Sequence, residues 1–198
     1  MSTLPITFPK EELDWNLPAR GPVGMYCLIA AETAIFTIFV VAYIFYIGKS
    51  ASGPQPKDVL SVPIFYTICL LSSSLTIHFA LMSLKKDNVR TFGLWWFLTF
   101  ALGAIFLVGT GIEWRHLIYD EGLTIHTNLF GTTYYSLVGL HAFHVTVGLL
   151  ALLTVSILTW LGHVTGKHAE RTEVLSLYWH FVDVVWVVVF TVVYIVGR

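Results

Sequence analysis

Five long stretches of apolar residues alternate with short polar segments along the chain. The apolar stretches cover residues 22–48, 62–84, 89–118, 130–161 and 173–196. A helix needs about 20 apolar residues to cross the hydrocarbon core of a bilayer, and every stretch reaches that length. Glycine, proline, asparagine and charged residues separate the stretches, as is typical of helix ends. The pattern therefore predicts an all-α integral membrane bundle of five transmembrane helices.

The composition supports this fold class and excludes several functions. Of the 198 residues, 56% are hydrophobic and 12% are charged, whereas charged residues make up about a quarter of a soluble domain. We divide the chain into an amino-terminal segment, 1–21, and a five-helix transmembrane domain, 22–198. This leaves no room for a separate catalytic domain, and a formal charge of -1 offers no surface for nucleic acid.

The basic residues predict the orientation of the bundle. Seven of them lie on the side of the amino terminus and four on the other side: Lys10, Arg20, Lys85, Lys86, Arg90, Lys167 and Arg171 against Lys49, Lys57, Arg115 and Arg198. Basic residues concentrate in cytoplasmic loops. We therefore expect a cytoplasmic amino terminus, including segment 1–21, and a carboxyl terminus outside.

Ionisable residues inside the predicted spans are the main candidates for function. They are Glu32, His78, His141, His144, His180 and Asp183. Such residues are costly in a bilayer, so they usually face protein or a wet cavity and mark functional sites. With a rise of about 1.5 Å per residue, three of them come out near the midplane: Glu32, His141 and Asp183. His144 and His180 lie about one turn nearer the cytoplasm, so a single interior polar site could form.

The spacing of these residues suggests specific pairs. Glu32 has no cation at the positions three or four residues away on its own helix, so it is either protonated or accepts a hydrogen bond from another helix, for which His144 is our first choice. His180 and Asp183 are three residues apart, which lets the carboxylate orient and charge the imidazole. The alternative for each is a packing role that fixes helix register. His78, close to Lys85, is interpreted as an interface residue.

Small and aromatic residues have a structural interpretation. Gly139, Gly148 and the serines at 72–74 allow close approach of helices. Trp95–Trp96 and Tyr134–Tyr135 lie toward the ends of spans, where aromatic rings anchor helices at the membrane interface. The chain carries no metalloprotease, phosphate-loop or serine-nucleophile motif, so we expect neither a catalytic residue nor a metal site in it.

Several motifs carry a family resemblance. Residues 173–186, EVLSLYWHFVDVVW, closely resemble the last helix of subunit III of haem-copper terminal oxidases, the cytochrome c oxidase family. Residues 131–145, GTTYYSLVGLHAFHV, are similar to the penultimate helix of that subunit. The runs RGPVGMY at 20–26 and AETAIF at 31–36 resemble its glutamate-bearing helix, and LLSSSLT at 70–76 the next one. Many members have seven spans, and this chain aligns with the last five, as the bo-type quinol oxidase subunit does.

The resemblance implies an accessory role in a respiratory enzyme. Subunit III of this family belongs to a multi-subunit oxidase that reduces oxygen to water in aerobic electron transport. It binds subunit I directly, holds phospholipid in a cleft, and supports proton uptake and complex stability. The haem and copper are expected in partner subunits and none in this chain. The implied location is the bacterial cytoplasmic (inner) membrane.

The resemblance also implies roles for individual residues. Glu32 matches the intramembrane glutamate that reacts with carbodiimides, and His144 matches its partner histidine. His180 and Asp183 match the motif of the last helix. Together with His141, these four residues form the expected proton-related polar site. His163, Lys167 and His168, in the connection before the last helix, are expected to meet lipid headgroups.

Other functions remain open at this stage. Within the family, the chain could serve a quinol oxidase or a nitric oxide reductase, because other subunits recognise the electron donor. From different classes, it could be a small b-type cytochrome with His144 and His180 as haem ligands, or a proton-coupled transporter built around Glu32. In longer members of the family, two further helices form one wall of the lipid cleft. For this chain, that wall would come from another polypeptide or be absent.

Overall fold

The computed structural model describes residues 20–50 and 52–197. Within them it has six α-helices: α1 (Arg20–Tyr46), α2 (Pro56–Val59), α3 (Ile64–Lys85), α4 (Val89–Tyr119), α5 (Leu129–Trp160) and α6 (Ala169–Phe190). All except the short α2 are long and apolar enough to cross a membrane, and this part of the chain has no β-strand. The five-helix fold class is confirmed. The predicted segment 1–21 lies outside the described residues except for its last two, and the predicted orientation stays a prediction.

The last span is longer than the hydropathy pattern predicts. A 3-10 turn, Gly166–His168, leads directly into α6, and a π-helical turn, Thr191–Val196, continues it at the other end. The predicted start at residue 173 misses the first turn of α6 because that turn is polar and extends beyond the apolar core. The pattern also misses α2, where Pro56 occupies the first helical position, which suits its fixed φ.

Polar side chains define where two of the spans begin. The Asn88 side chain accepts a hydrogen bond of 3.1 Å from the backbone N–H of Thr91 at the start of α4. The Asn128 side chain accepts one of 2.8 Å from the N–H of Gly131 at the start of α5. Each bond satisfies a backbone donor that has no partner within its own helix. These caps explain why both helices begin within a residue of the predicted positions.

The helices pack around α6. This helix contacts α1, α3 and α5, while α3 packs along α4 and α4 packs on α5. The first span, α1, contacts α5 and α6, and Phe36 and Tyr43 are its buried residues. Most of the α1 surface is therefore exposed in the isolated chain, whereas the core lies between α3, α4, α5 and α6.

The Trp179 side chain occupies the centre of this core. Its indole Nε1 donates a hydrogen bond of 2.8 Å to the Ser73 hydroxyl on α3. A methyl group at Gly103 on α4 would lie 2.7 Å from the indole ring, and one at Gly148 on α5 would lie 2.8 Å from it. Close packing at Gly148, as predicted, is confirmed. Gly103 and Gly148 therefore leave room for a side chain of the same polypeptide, that of Trp179.

Two aromatic residues are placed differently from the prediction. Trp96 and Tyr134 are fully buried between helices, so their predicted role as interface anchors is wrong. The Trp96 Nε1 donates a hydrogen bond of 3.0 Å to the backbone oxygen of Leu152. Their nearness to span ends suggested the interface, but the side of the helix that each occupies directs it into the bundle.

Candidate functional site

Glu32 and His144 meet between α1 and α5. The His144 Nε2 lies 3.1 Å from Glu32 Oε2, and its Nδ1 lies 2.8 Å from the backbone oxygen of Leu140. The His144 and Glu32 side chains are 7% and 21% exposed. The Phe36 ring packs with its centroid 5.0 Å from that of the imidazole, and Tyr178 donates a hydrogen bond to the His144 backbone oxygen. The contact predicted between these two residues is confirmed.

The hydrogen-bond pattern places one proton between the two side chains. A backbone oxygen can only accept, so the contact with Leu140 requires a hydrogen on His144 Nδ1. The contact between Nε2 and Glu32 then holds a single hydrogen. It belongs either to a charged imidazole beside a carboxylate or to a protonated glutamate beside a neutral imidazole. The two states predicted for Glu32 are therefore two positions of the same proton.

His141 lies apart from this pair. It is fully buried, and its ring stacks on that of Trp186 with 5.0 Å between centroids and 28° between planes. The Phe106 ring lies nearly perpendicular to the imidazole, with 5.8 Å between the ring centroids. Neither ring nitrogen has a hydrogen-bond partner among the described residues. Among the described residues, His141 therefore makes no hydrogen bond to the other candidates, so hydrogen bonds do not join them into one interior polar site.

His180 and Asp183 are joined through Ser74. The Ser74 hydroxyl lies 3.1 Å from His180 Nδ1 and donates a short hydrogen bond to Asp183 Oδ2. The predicted direct contact between His180 and Asp183 is wrong, because a serine from α3 occupies the space between them. Asp183 is 3% exposed and its second oxygen has no partner in the described part of the chain. Ser74 therefore does more than allow close helix approach.

Replacing Ser74 by alanine is expected to lower the free energy of unfolding by about 1–3 kcal/mol, the effect of leaving a buried acceptor without its donor. The loss is measurable by titrating the chain in mild detergent with sodium dodecyl sulfate. Ser83 on the same helix is half-buried and bonds only to the Phe79 backbone oxygen of its own helix, so Ser83→Ala is the matched control. Equal losses in the two variants would contradict the bridging role of Ser74.

The connection between α5 and α6 holds the residues predicted to meet lipid headgroups. His163 and Lys167 are exposed and His168 is half-buried. The Nδ1 of His168 accepts a hydrogen bond of 3.1 Å from the backbone N–H of Thr165. His163 and Lys167 are thus available at the surface, while His168 contributes to the turn that starts α6.

Sequence inspection missed one intramembrane carboxyl group. Glu113 lies on α4, six residues before its end, and is half-buried. The Tyr194 hydroxyl lies 3.0 Å and 3.1 Å from its two carboxyl oxygens, and the Tyr134 hydroxyl lies 3.4 Å from that of Tyr194. The available signal was the acidic residue itself, within the predicted span 89–118, with Arg115 and His116 two and three residues further along.

Two further features of the bundle bear on what this region could bind. Within residues 20–50 and 52–197, no group of three or more His, Cys, Asp or Glu side chains could hold a metal ion. An apolar cleft of about 380 Å³ opens between α1 and α6, and Phe36 lines it. The pair of Glu32 and His144 contacts this same Phe36 ring. An acyl chain suits such a lining.

Comparisons with known proteins give a consistent answer. The family model of cytochrome c oxidase subunit III matches residues 22–198. The chain is 36% identical to cytochrome c oxidase subunit 3 of Alkalihalophilus pseudofirmus, over 88% of this chain and 86% of that one. It is 36% identical to the subunit 3 of a Bacillus species over 96% and 94% of the two chains.

A relative with a different name matches almost as well. Cytochrome bo(3) ubiquinol oxidase subunit 3 of Pseudomonas aeruginosa is 35% identical over 88% of this chain and 84% of its own. The similarities extend along nearly all of the described bundle. This chain belongs to the cytochrome c oxidase subunit III family, the accessory subunits of haem-copper terminal oxidases.

Proposed function

We propose that this chain binds subunit I of an oxygen-reducing oxidase directly and supports proton uptake and stability of the complex. The haem and copper reside in the partner subunits, and the chain itself carries out no redox chemistry. It works in the bacterial cytoplasmic (inner) membrane, with the end of the bundle that holds Lys85 in the cytoplasm. The membership of the family and the five apolar helices support this proposal.

The contact between Glu32 and His144 is the observation on which the proton role depends. The imidazole and the carboxyl group share one hydrogen, and the two positions of that hydrogen differ in charge on each side chain. A neighbouring proton or a change in local potential shifts its position without breaking the contact. The pair therefore exchanges a proton within the hydrocarbon core at little structural cost. His180, Ser74 and Asp183 form a second polar group at similar depth, which extends this buffering capacity.

Phospholipid is the second ligand of the proposed function. The cleft between α1 and α6 is lined by eight apolar residues, Ile29 and Phe36 among them, and by Thr33 and Thr37. An acyl chain here would contact Phe36 and so exclude water from the pair of Glu32 and His144. Exposed His163 and Lys167 at the cytoplasmic end provide polar and cationic groups for headgroups. The lipid thus seals the proton-holding pair from one side.

Glu32→Gln and His144→Ala are each expected to reduce sustained oxygen turnover of the assembled oxidase. The expected loss is about two- to tenfold, equivalent to about 0.4–1.4 kcal/mol in activation free energy. Subunit retention during purification would fall in parallel, while the haem spectrum stays unchanged. Oxygen consumption and difference spectra of the purified complex provide the two measurements.

Glu121→Gln is the matched control for Glu32→Gln, because Glu121 is exposed at the end of the α4 segment. This control is expected to leave turnover, subunit retention and spectrum unchanged. A bleached haem spectrum in a normally assembled Glu32 or His144 variant would contradict the accessory role. Unchanged turnover in both variants would contradict the proton role.

A quinol oxidase is the second candidate for the complex. The Pseudomonas aeruginosa relative, named as a ubiquinol oxidase subunit, matches this chain about as well as the cytochrome c oxidase subunits do. Mild-detergent purification followed by identification of the partner subunits separates the two, since other subunits recognise the electron donor.

The two functions from other classes have less support. As a b-type cytochrome, the chain would need His144 and His180 as haem ligands, but both nitrogens of His144 are engaged by Glu32 and Leu140. A haem band in the purified chain would revive that function. Proton flux into liposomes that hold only this chain would instead support a transporter.

A further inference from the structure

Glu113 sits at the opposite end of the bundle from the cytoplasmic connections. It lies six residues before the end of α4, or about 9 Å along the helix axis. Its two carboxyl oxygens face the single hydroxyl of Tyr194, at 3.0 Å and 3.1 Å. The pair of Glu32 and His144 lies near the middle of α1 and α5, so these two carboxyl groups occupy separate environments.

The π-helical turn at the end of α6 positions Tyr194. This turn covers Thr191–Val196. π-helical turns are rare in proteins, and those that occur are often found at functional sites. The wider turn rotates Tyr194 into the bundle, where its side chain is 3% exposed. Its hydroxyl also contacts that of Tyr134 on α5. The two tyrosines therefore close the inner side of Glu113.

A cleft opens on the other side of Glu113. It has a volume of about 360 Å³ and is lined by residues of α4, of the segment that leads from α2 into α3, and of the first turn of α3, with Tyr66, Gly109, Glu113 and His116 among them. The Tyr66 ring lies directly on Gly109, where a methyl group would overlap it. A side chain at 109 would thus displace the wall of the cleft. The carboxyl group is accessible from this end of the bundle.

The hydrogen-bond supply at Glu113 is incomplete. Tyr194 and Tyr134 supply at most two hydroxyl hydrogens, whereas the two oxygens of a carboxylate can accept about four hydrogen bonds. The other titratable groups around the carboxyl are Tyr66 on α3, His116 on α4, and Tyr134 and Tyr135 on α5. Tyr135 donates to the Leu123 backbone oxygen, and His116 faces Asp120 at 2.7 Å.

No described cation forms an ion pair with Glu113. A carboxylate without a counter-ion is costly in an apolar surrounding, and binding a proton removes that cost. The open cleft gives a proton a path to Glu113, where it would convert the carboxylate to a carboxylic acid, and the same path out.

We propose that Glu113 is a second proton-binding site of this subunit, closed on one side by Tyr194 and open to water at the end of the bundle that carries α2. It exchanges its proton with that side of the membrane. The site is independent of the proton-uptake role proposed for Glu32, and variants at the two positions test them separately.

Infrared spectroscopy of the assembled complex tests this site. The carbonyl band of a protonated carboxylic acid is recorded in H₂O and D₂O from mildly acidic to mildly alkaline pH. Glu113→Gln is expected to remove one such band that shifts in D₂O and loses intensity as pH rises. Glu32→Gln is expected to leave that band in place.

A second variant covers the case in which Glu113→Gln does not assemble. Tyr194→Phe keeps the carboxyl group and removes its hydrogen-bond donor, so the same band is expected to move to higher frequency without loss. Tyr119→Phe, at an 80% exposed tyrosine of the same helix, is expected to change nothing. The proposal is overturned if the acid bands are unchanged in the Glu113 and Tyr194 variants, or if the Glu113 band does not respond to D₂O.

Discussion

Replacement of Trp179 by alanine is expected to lower the free energy of unfolding by about 3–5 kcal/mol, the upper range for loss of a buried aromatic side chain. The indole lies between Gly103 and Gly148, and neither glycine has a side chain that could move into the space left behind. The Ser73 hydroxyl also loses the indole N–H that it accepts. Titration of the chain in mild detergent with sodium dodecyl sulfate measures the effect.

Trp160 provides a matched control for this experiment. Its side chain is 90% exposed at the end of α5, and replacement of an exposed residue usually changes stability by less than about 0.5 kcal/mol. Trp160→Ala is therefore expected to unfold like the wild type. Similar losses for both tryptophans would show that bundle stability reflects total aromatic content rather than the packing of Trp179 against two glycines.

The spans and the partner of Glu32 could be predicted from the sequence for simple physical reasons. Apolar stretches longer than 20 residues have one stable conformation in a bilayer, because the backbone must satisfy its own hydrogen bonds. Glu32 has no cation one turn away on its own helix, so a nearby partner had to come from another helix. Depth placed His141 level with Glu32 and His144 one turn away, and the family resemblance favoured His144. The observed contact confirms that step.

Features that depend on helix rotation could not be predicted in the same way. The spacing of His180 and Asp183 allowed a direct contact, but the position of Ser74 between them follows from how α3 packs on α6. Trp96 and Tyr134 were placed at the interface from their height alone, whereas the face of the helix determines their burial. The depth of a residue along its helix follows from its residue number. The rotation of that helix about its axis depends on how the whole bundle packs.

Glu113 shows a related limit. The acidic residue was visible within the predicted span, but nothing near it in sequence marks a site. Its partner Tyr194 comes from a helix more than 70 residues later and reaches it through a π-helical turn. Hydropathy does not distinguish such a turn from regular helix, because the same apolar residues serve both. The structure is needed to bring these groups together.

A double-mutant cycle on Glu32 and His144 is expected to give a coupling free energy of about 1–2 kcal/mol, toward the upper end for hydrogen bonds between membrane helices. Each single alanine variant leaves one polar side chain without its partner in an apolar environment. The double variant removes both polar side chains, so neither is left unpaired. The double variant should therefore be less destabilised than the sum of the two single variants. Unfolding titrations of the four proteins in detergent give the coupling directly.

Ser156 supplies the control cycle on the same helix as His144. It lies twelve residues further along α5 and bonds only to the Leu152 backbone oxygen, about 18 Å from His144 along the axis. Effects of Glu32→Ala and Ser156→Ala are expected to add within about 0.3–0.5 kcal/mol. If Glu32 and His144 also prove additive, the two side chains do not share a proton, and the proposed exchange loses its physical basis whatever the turnover of the variants. A coupling confined to Glu32 and His144 would instead locate the exchangeable proton between α1 and α5.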